Sequence, residues 1–225
     1  MCHRDHDPVR VDDEHGRDVD QPADGPLRHE QLAVPEQLVG GDGVDVDDDP
    51  ELVSEHRRLA ECRGELYLIG AGHCARAIAK LAAECGLFVS VVDDREEMLA
   101  ELPPAVAAIS GATPASFIAS REWQSDEALV IVSRNHQIDR EALAAAMAQS
   151  GAGYIGMIGS RRKVRQVFDD MRQRGIPEEK LAKVYAPLGL DIGADSPVEI
   201  AISTIAEILG ILRGRTAGHL RLAAE

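Results

Sequence analysis

The sequence predicts an α/β fold: a Rossmann-like, doubly wound parallel sheet that follows a largely disordered acidic leader. Short apolar runs alternate with amphipathic helical stretches, glycine-rich turns follow two of the runs, and the pattern begins only near residue 66. Strands that alternate with helices indicate a parallel sheet covered on both faces. We therefore expect a leader over residues 1–64, a folded domain over residues 65–215 and a tail over residues 216–225.

The leader differs from the rest of the chain in charge. Residues 1–65 hold 19 acidic and 7 basic side chains, so they carry −12 of the net charge of −15. Acidic segments with few aromatic residues usually stay solvated. The alternatives are that the leader binds metal weakly, that it mimics a polyanion, or that it results from a misplaced translation start. The remaining residues are nearly balanced in charge, which argues against nucleic-acid binding by a broad basic face.

The sequence also indicates the compartment. No apolar run approaches the roughly 18 residues of a membrane span, and the first residues lack the apolar core of a signal peptide. We therefore expect a cytoplasmic protein without membrane association. The four cysteines form no Cys-x-x-Cys pair, so we expect neither a metal site nor a disulfide framework, and Cys85 is predicted to be a buried thiol.

The apolar pattern predicts each element in turn. Strands are expected over residues 66–69, 87–92, 105–109, 128–132 and 154–158, and helices over residues 74–85, 141–149, 160–174 and 197–212. Gly86 and Gly175 follow two of these helices, as is typical of helix C-termini. In the last helix the apolar stripe is predicted to be core and the opposite, polar stripe to be solvated; the polar stripe consists of Glu199, Ser203 and Glu207.

The first glycine turn, Gly70-x-Gly72-x-x-Ala75, fits the dinucleotide-binding pattern. Gly70 permits the tight turn, Gly72 lets the backbone approach a pyrophosphate, and Ala75 lets helix and strand pack closely. Asp93 ends the next strand 21 residues after Gly72, as expected of a carboxylate that binds a ribose hydroxyl. Arg95 suits a 2′-phosphate, so the pattern fits NAD and NADP alike; a purely structural turn is the alternative.

The second glycine turn contains Gly156 and Gly159 and leads into a basic helix start. Three cations, residues 161–163, occupy the first turn of that helix, where the helix dipole disfavours each by about 0.3–1 kcal/mol. A bound anion would offset this cost. We therefore predict that backbone N–H groups near Gly159, the Ser160 hydroxyl and Arg161 bind a phosphate. Long side chains extending into solvent are the alternative.

Two histidines lie beyond the carboxyl ends of predicted strands, where open parallel sheets bind ligands. His73 follows the first glycine turn and either contacts the ligand or faces solvent. His136 follows the fourth strand, and we predict that it exchanges a proton while Asp139 orients it. The alternative is that Asp139 caps a helix beginning near Arg140.

With these motifs the chain resembles the carboxy-terminal Rossmann domain of the XdhC/CoxI family. The similarity extends over about residues 65–215. It is carried by residues 69–73, 92–95, 154–163, 186–193, 197–203 and 206–208. The family also has an amino-terminal domain with Gly-Ser-x-Pro and Gly-Gly-x-x-Glu segments, and neither segment is found in residues 1–64.

The resemblance implies an accessory protein rather than an enzyme with turnover. Such a protein binds the molybdenum cofactor, as molybdopterin or its dinucleotide form, and assists its sulfuration and insertion into a xanthine dehydrogenase-type apoenzyme. A molybdenum hydroxylase is then the expected partner, with a cysteine desulfurase and a second copy of the chain as further candidates. An NAD(P)-dependent oxidoreductase and a nucleotide-sensing regulatory module are alternatives, although no lysine–tyrosine pair supports hydride transfer.

Overall fold

A computed structural model describes residues 64–220 and shows six parallel strands there. The strands are β1 Glu65–Ile69, β2 Phe88–Val92, β3 Val106–Ile109, β4 Glu127–Ile131, β5 Tyr154–Met157 and β6 Val184–Tyr185. Their spatial order is β3-β2-β1-β4-β5-β6, so the winding direction reverses between β1 and β4. That reversal is the topological switch point at which doubly wound sheets bind ligands. The predicted fold class is confirmed, whereas the predicted leader, apart from Gly64, lies outside the described residues.

The helices flank the sheet on both faces. They are α1 His73–Glu84, α2 Glu96–Leu99, α3 Pro114–Ala119, α4 His136–Ala148, α5 Arg161–Gln173, α6 Glu178–Leu181 and α7 Pro197–Leu212. The predictions for α1, α5 and α7 are confirmed to within two residues, while α4 begins five residues earlier than predicted. The sequence reading did not identify α2, α3, α6 or β6, because elements of two to six residues are too short to show a clear period.

The sheet separates two apolar cores. On one face α1 packs against α7, and the buried contacts include Ile78, Ala82 and Ile205. On the other face α3, α4 and α5 contribute buried side chains such as Leu143 and Val167. Alternate strand residues enter the two cores, which is why β1 and β4 read as continuous apolar runs. Each fully buried aliphatic side chain contributes about 1.5–3 kcal/mol relative to exposure.

The polar stripe of α7 is only partly solvated, so the prediction for it is wrong at two residues. Ser203 is buried, and its hydroxyl donates to the Leu190 carbonyl at 2.6 Å. Glu207 accepts from the Tyr154 hydroxyl at 2.5 Å and from the Gly189 amide at 2.8 Å. The loop between β6 and α7 therefore lies across this stripe. Burial and the hydrogen bond to Glu207 both raise the pKa of Tyr154.

The end of α1 corrects a second expectation. Gly86 has a φ of +80°, in agreement with its predicted role after the helix. Cys85 is exposed, because it is the C-cap residue and lies off the apolar stripe of α1, so the prediction of a buried thiol there is wrong. None of the helices within residues 64–220 is long and apolar enough to cross a membrane.

Candidate functional site

The candidate site lies at the carboxyl edge of the sheet, where β1, β4 and β5 lead into the N-termini of α1, α4 and α5. Each helix N-terminus carries N–H groups without a helical partner and a partial positive charge. Neighbouring helix starts at one edge of a sheet therefore favour an anionic ligand. How each helix start is capped decides which of them is free to bind one.

Gly70 lies where β1, β2 and β4 end side by side. Its φ is +116°, and its amide donates to the Val92 carbonyl at 2.8 Å. A Cβ here would lie 2.7 Å from the Val132 carbonyl oxygen and 2.9 Å from the Ser133 Cα. Both the backbone angle and the close approach of the chain after β4 therefore require glycine.

Gly72 has the opposite surroundings. It is the N-cap residue of α1, has no side chain to accept from the first-turn amides, and adopts an extended conformation with a φ of −71°. Within residues 64–220, a Cβ at Gly72 would meet no atom within 4 Å beyond its two neighbours in the chain. The first turn of α1 thus presents uncapped amides below open space, which is the arrangement that admits a phosphate.

The second glycine turn is filled by the protein's own side chains. The Ser160 hydroxyl caps α5 by accepting from the Lys163 amide at 3.2 Å. A Cβ at Gly159 would lie 2.8 Å from the Cδ of Lys163, so the missing side chain makes room for the lysine stem. Arg161 is exposed at the helix start. Phosphate binding by Gly159, Ser160 and Arg161 stays a prediction, with the Ser160 oxygen already accepting one hydrogen bond.

The stem of Lys163 leads to a buried carboxylate. Asp139 is fully buried, and its Oδ2 lies 2.5 Å from the ammonium of Lys163. Its other oxygen accepts from the Ser133 hydroxyl at 2.7 Å. This network connects the loop after β4 to the first turn of α5. The sequence reading included Lys163 among the basic residues but did not predict this pairing.

The structure places His136 and Asp139 differently from the prediction. Asn135, not Asp139, caps α4 by accepting from the Ile138 amide at 2.9 Å, so the capping alternative for Asp139 is wrong. Within residues 64–220 the hydrogen bond and ion pair of Asp139 lead to Ser133 and Lys163, not to His136. His136 is exposed as the first residue of α4, and His73 is exposed as the first residue of α1. Proton exchange by His136 and ligand contact by His73 stay predictions.

Asp93 lies at the end of β2, as predicted, and is buried. It accepts from the Ala71 amide and from the amide and guanidinium of Arg95. Burial on its own raises the pKa of Asp93, but these hydrogen bonds outweigh it and lower the pKa to about 2. Beside this pair, Arg134 binds Asp94 in bidentate fashion at 2.7 and 3.0 Å. The ribose role of Asp93 stays a prediction.

A larger cavity lies elsewhere within residues 64–220. It measures about 340 Å³ and is lined by the segment that precedes β5, together with Trp123, Met147 and Lys180. Size alone favours such a cavity as a ligand site. However, it contains none of the predicted site residues, and Lys180 is engaged with the Met147 carbonyl at 2.5 Å. No group of three potential metal ligands occurs within residues 64–220.

Sequence reasoning missed Ser133, Lys163, Asp94 and Arg134 as members of the site. Two of them lie in the polar loop after β4, whose position beyond a strand was the available signal. Asp94 adjoins Asp93 in the chain, but its partner Arg134 comes from the loop after β4 and could not be inferred from local spacing. The pairing of Lys163 depends on a contact across 24 residues, which local spacing does not reveal.

Comparison with known proteins gives consistent matches. The XdhC Rossmann-domain family model matches residues 66–208. The chain is 39% identical over 158 residues to the uncharacterized protein YqeB of Escherichia coli (strain K12), covering 69% of this chain. It is 29% identical over 150 residues, 66% of this chain, to a protein of Bacillus subtilis (strain 168) that is named as a probable xanthine dehydrogenase subunit.

A solved structure shows the same similarity. The crystal structure of a xanthine dehydrogenase from Bacillus halodurans superposes with a TM-score of 0.59 and 27% identity over 68% of this chain. The chain spans 45% of that structure, and 29% and 43% of the lengths of the Escherichia coli and Bacillus subtilis relatives. The similarity therefore concerns one domain of larger proteins.

Proposed function

The chain belongs to the XdhC Rossmann-domain family, and from this premise we propose that it is an accessory protein for a xanthine dehydrogenase-type molybdenum hydroxylase. In this role it binds the molybdenum cofactor, assists its sulfuration and supports its insertion into the apoenzyme. The observation that carries the proposal is the uncapped N-terminus of α1, where Gly72 leaves open space at the switch point of the sheet.

Two groups of residues offer donors for the phosphates of a pterin cofactor. The first-turn amides of α1, next to Gly72, would hold one phosphate, because they have no side-chain cap. Ser160 and Arg161 at the start of α5 would hold a second phosphate of a dinucleotide form. When bound, the cofactor supplies the molybdenum centre that the client hydroxylase uses. The chain's own contribution is to hold the phosphate, with His73 in contact with the ligand and His136 available for proton exchange.

Charge supports this arrangement. Arg161 and Arg162 are exposed in the first turn of α5, where the helix dipole disfavours cations. Lys163, in the same turn, has its own partner in Asp139. A bound anion near Arg161 and Arg162 offsets the unfavourable dipole interaction, which gives these two arginines a functional reason for their position.

The names of the relatives support the proposed partner. The Bacillus subtilis relative and the Bacillus halodurans structure are both named as xanthine dehydrogenase proteins. On the strength of these names, we propose that its partners are a molybdenum hydroxylase apoenzyme and, for sulfuration, a cysteine desulfurase.

Native mass spectrometry tests the ligand. The protein is expressed in cells that make molybdenum cofactor and is analysed without denaturation. The proposal expects a bound mass that matches a molybdopterin species. A bound NAD or NADP mass without pterin would instead support an oxidoreductase or a nucleotide-sensing module, and the proposal would be abandoned.

Reconstitution tests the partner. A purified xanthine dehydrogenase-type apoenzyme is incubated with cofactor in the presence and absence of this protein. The proposal expects faster recovery of hydroxylase activity with the wild-type protein than with Gly72→Ala, because that variant narrows the space above α1. Equal recovery with the wild-type protein, with Gly72→Ala and without added protein would contradict the accessory role.

A further inference from the structure

The hydrogen-bonding capacity of Asp93 is fully used inside the protein. A carboxylate offers about four acceptor positions, two on each oxygen. The Oδ2 of Asp93 accepts from the Ala71 amide at 2.8 Å and from Nη2 of Arg95 at 2.8 Å. The Oδ1 accepts from the Arg95 amide at 3.0 Å and from Nε of Arg95 at 2.9 Å. The side chain is only 4% exposed, so a ligand has little access to it.

This saturation matters because of where Asp93 lies. In dinucleotide-binding sheets, the carboxylate at the end of the second strand accepts a hydrogen bond from a ribose hydroxyl. Here that hydroxyl would have to displace Arg95. The bidentate contact of Arg95 is charge-assisted and about twice as strong as a hydrogen bond between neutral groups. Hence a ribose hydroxyl competes poorly for Asp93.

A neighbouring ion pair, between Arg134 and Asp94, also restricts access to Asp93. Arg134, from the loop after β4, binds both oxygens of Asp94 and brings Nη1 within 3.7 Å of the Oδ1 of Asp93. These residues and Gly70 line a cleft of only about 10 Å³, which is about the space for one water molecule. A ribose enters this cleft only when Arg134 moves, and the ion pair that holds Arg134 lies at the surface, where such pairs are weak.

We propose that Arg95 is a specificity residue, which makes the nucleotide turn reject ligands that require a ribose diol contact and accept ligands held by phosphate. Arg95 retains three N–H donors beyond the two that bind the Asp93 side chain, and its side chain is 28% exposed. It can therefore donate to a phosphate while still occupying Asp93. The phosphate half of this inference rests on the proposed function, whereas the rejection of the diol stands on the Asp93 contacts alone.

Titration calorimetry with NADH tests the inference. Wild-type protein should bind NADH weakly, and Arg95→Ser should gain at least about tenfold in affinity, equivalent to about 1.4 kcal/mol, because Asp93 regains free acceptor positions. Arg95→Gln serves as a second, more conservative variant, and circular dichroism checks that each variant is folded. Adding Asp93→Asn to Arg95→Ser should remove the gain.

Tight NADH binding by the wild-type protein that is lost in Asp93→Asn would overturn the inference, since Asp93 would then be available to the ribose. Unchanged NADH affinity in both folded Arg95 variants would overturn it as well. These outcomes are separate from those of the proposed function, which fails if no pterin is retained even when NADH is rejected as expected.

Discussion

The two glycine turns share one sequence pattern, an apolar strand followed by glycines and a helix, yet they differ in what occupies the space beside the glycine. At the first turn, Gly72 opens onto space with no atom within 4 Å, and α1 has no side-chain cap. At the second, the stem of Lys163 fills the space beside Gly159, and Ser160 caps α5. The space beside Gly72 is open to a ligand, whereas the space beside Gly159 is taken by the stem of Lys163.

The charged groups follow the same division. The first turn is held by a residue outside it, because the Asp93 carboxylate accepts from the Ala71 amide between the two glycines. Next to the second turn, Lys163 of α5 forms a buried ion pair with Asp139 of α4. A pattern of glycines thus identifies a tight strand-to-helix connection, and only the contacts around it show whether the connection is open to ligands.

The largest expected effect comes from breaking the buried pair at the second turn. Lys163→Met should lower the free energy of unfolding by about 3–5 kcal/mol, because it leaves the buried Asp139 charge without its partner. Urea unfolding followed by circular dichroism measures this loss. Arg162→Met, an exposed neighbour on the same helix turn, is the control and should change stability by about 0.5 kcal/mol or less.

The double variant Lys163→Met/Asp139→Asn sharpens this result. Removing the unpaired charge should restore a substantial part of the lost stability, since the remaining amide carries no charge to desolvate. If Lys163→Met were no more destabilising than Arg162→Met, the interpretation of the second turn as internally filled would be wrong.

Gly70→Ala should have the next largest effect. Alanine at a φ of +116° costs about 1–3 kcal/mol, and the added Cβ also approaches the Val132 carbonyl at 2.7 Å. Thermal or urea unfolding measures the loss, with Gly218→Ala as an exposed control. Stability equal to that of Gly218→Ala would mean that the chain after β4 moves aside easily.

Acid sensitivity tests the hold of Asp93 on the first turn. The folded-state pKa of Asp93 is lowered to about 2 from an ordinary value of 3.8. The stabilisation is therefore present above about pH 4 and is lost as the pH falls from about 4 towards 2. The stability difference between the wild type and Asp93→Asn should be constant from pH 7 to 5 and then narrow by about 1–2 kcal/mol. A stability difference that keeps the same size down to pH 2 would contradict this account.

Alanine at Gly72 should have the smallest effect on stability. The backbone there has a φ of −71° and the new Cβ meets open space, so we expect a loss of about 1 kcal/mol or less. Gly159→Ala should cost more, about 1–3 kcal/mol, because the stem of Lys163 must shift while its ammonium stays paired with Asp139. The reverse order of stability would remove the distinction between the two turns.

The sequence predicted the parts of the fold that depend on local pattern. Apolar runs located β1, β2, β4 and β5, and the helical spacing of apolar residues located the starts of α1 and α7 to within one residue. Short elements such as α3 and β6 were not predicted, because they contain too few residues for a period to emerge.

The contacts of the site were less accessible to prediction, because they join residues far apart in the chain. Glu207 was predicted to be a solvated residue of α7, but the loop at Gly189 covers it and donates a hydrogen bond to its carboxylate. Asp139 was predicted to orient His136, with a helix cap as the alternative, but Asn135 caps α4 and Asp139 pairs with Lys163. Likewise, the position of Asp93 was predicted correctly, whereas its saturation by Arg95 was not.

The most direct test of the central claim, that the open first turn binds the phosphate of a pterin cofactor, is the pterin content of three proteins. Wild type, Gly72→Ala and Gly159→Ala are purified from cells that make molybdenum cofactor, and the bound pterin is oxidised and measured by fluorescence. The account predicts pterin on the wild type, largely retained in folded Gly159→Ala and lost in Gly72→Ala. Pterin bound equally well by Gly72→Ala, or absent from the wild type, would contradict it.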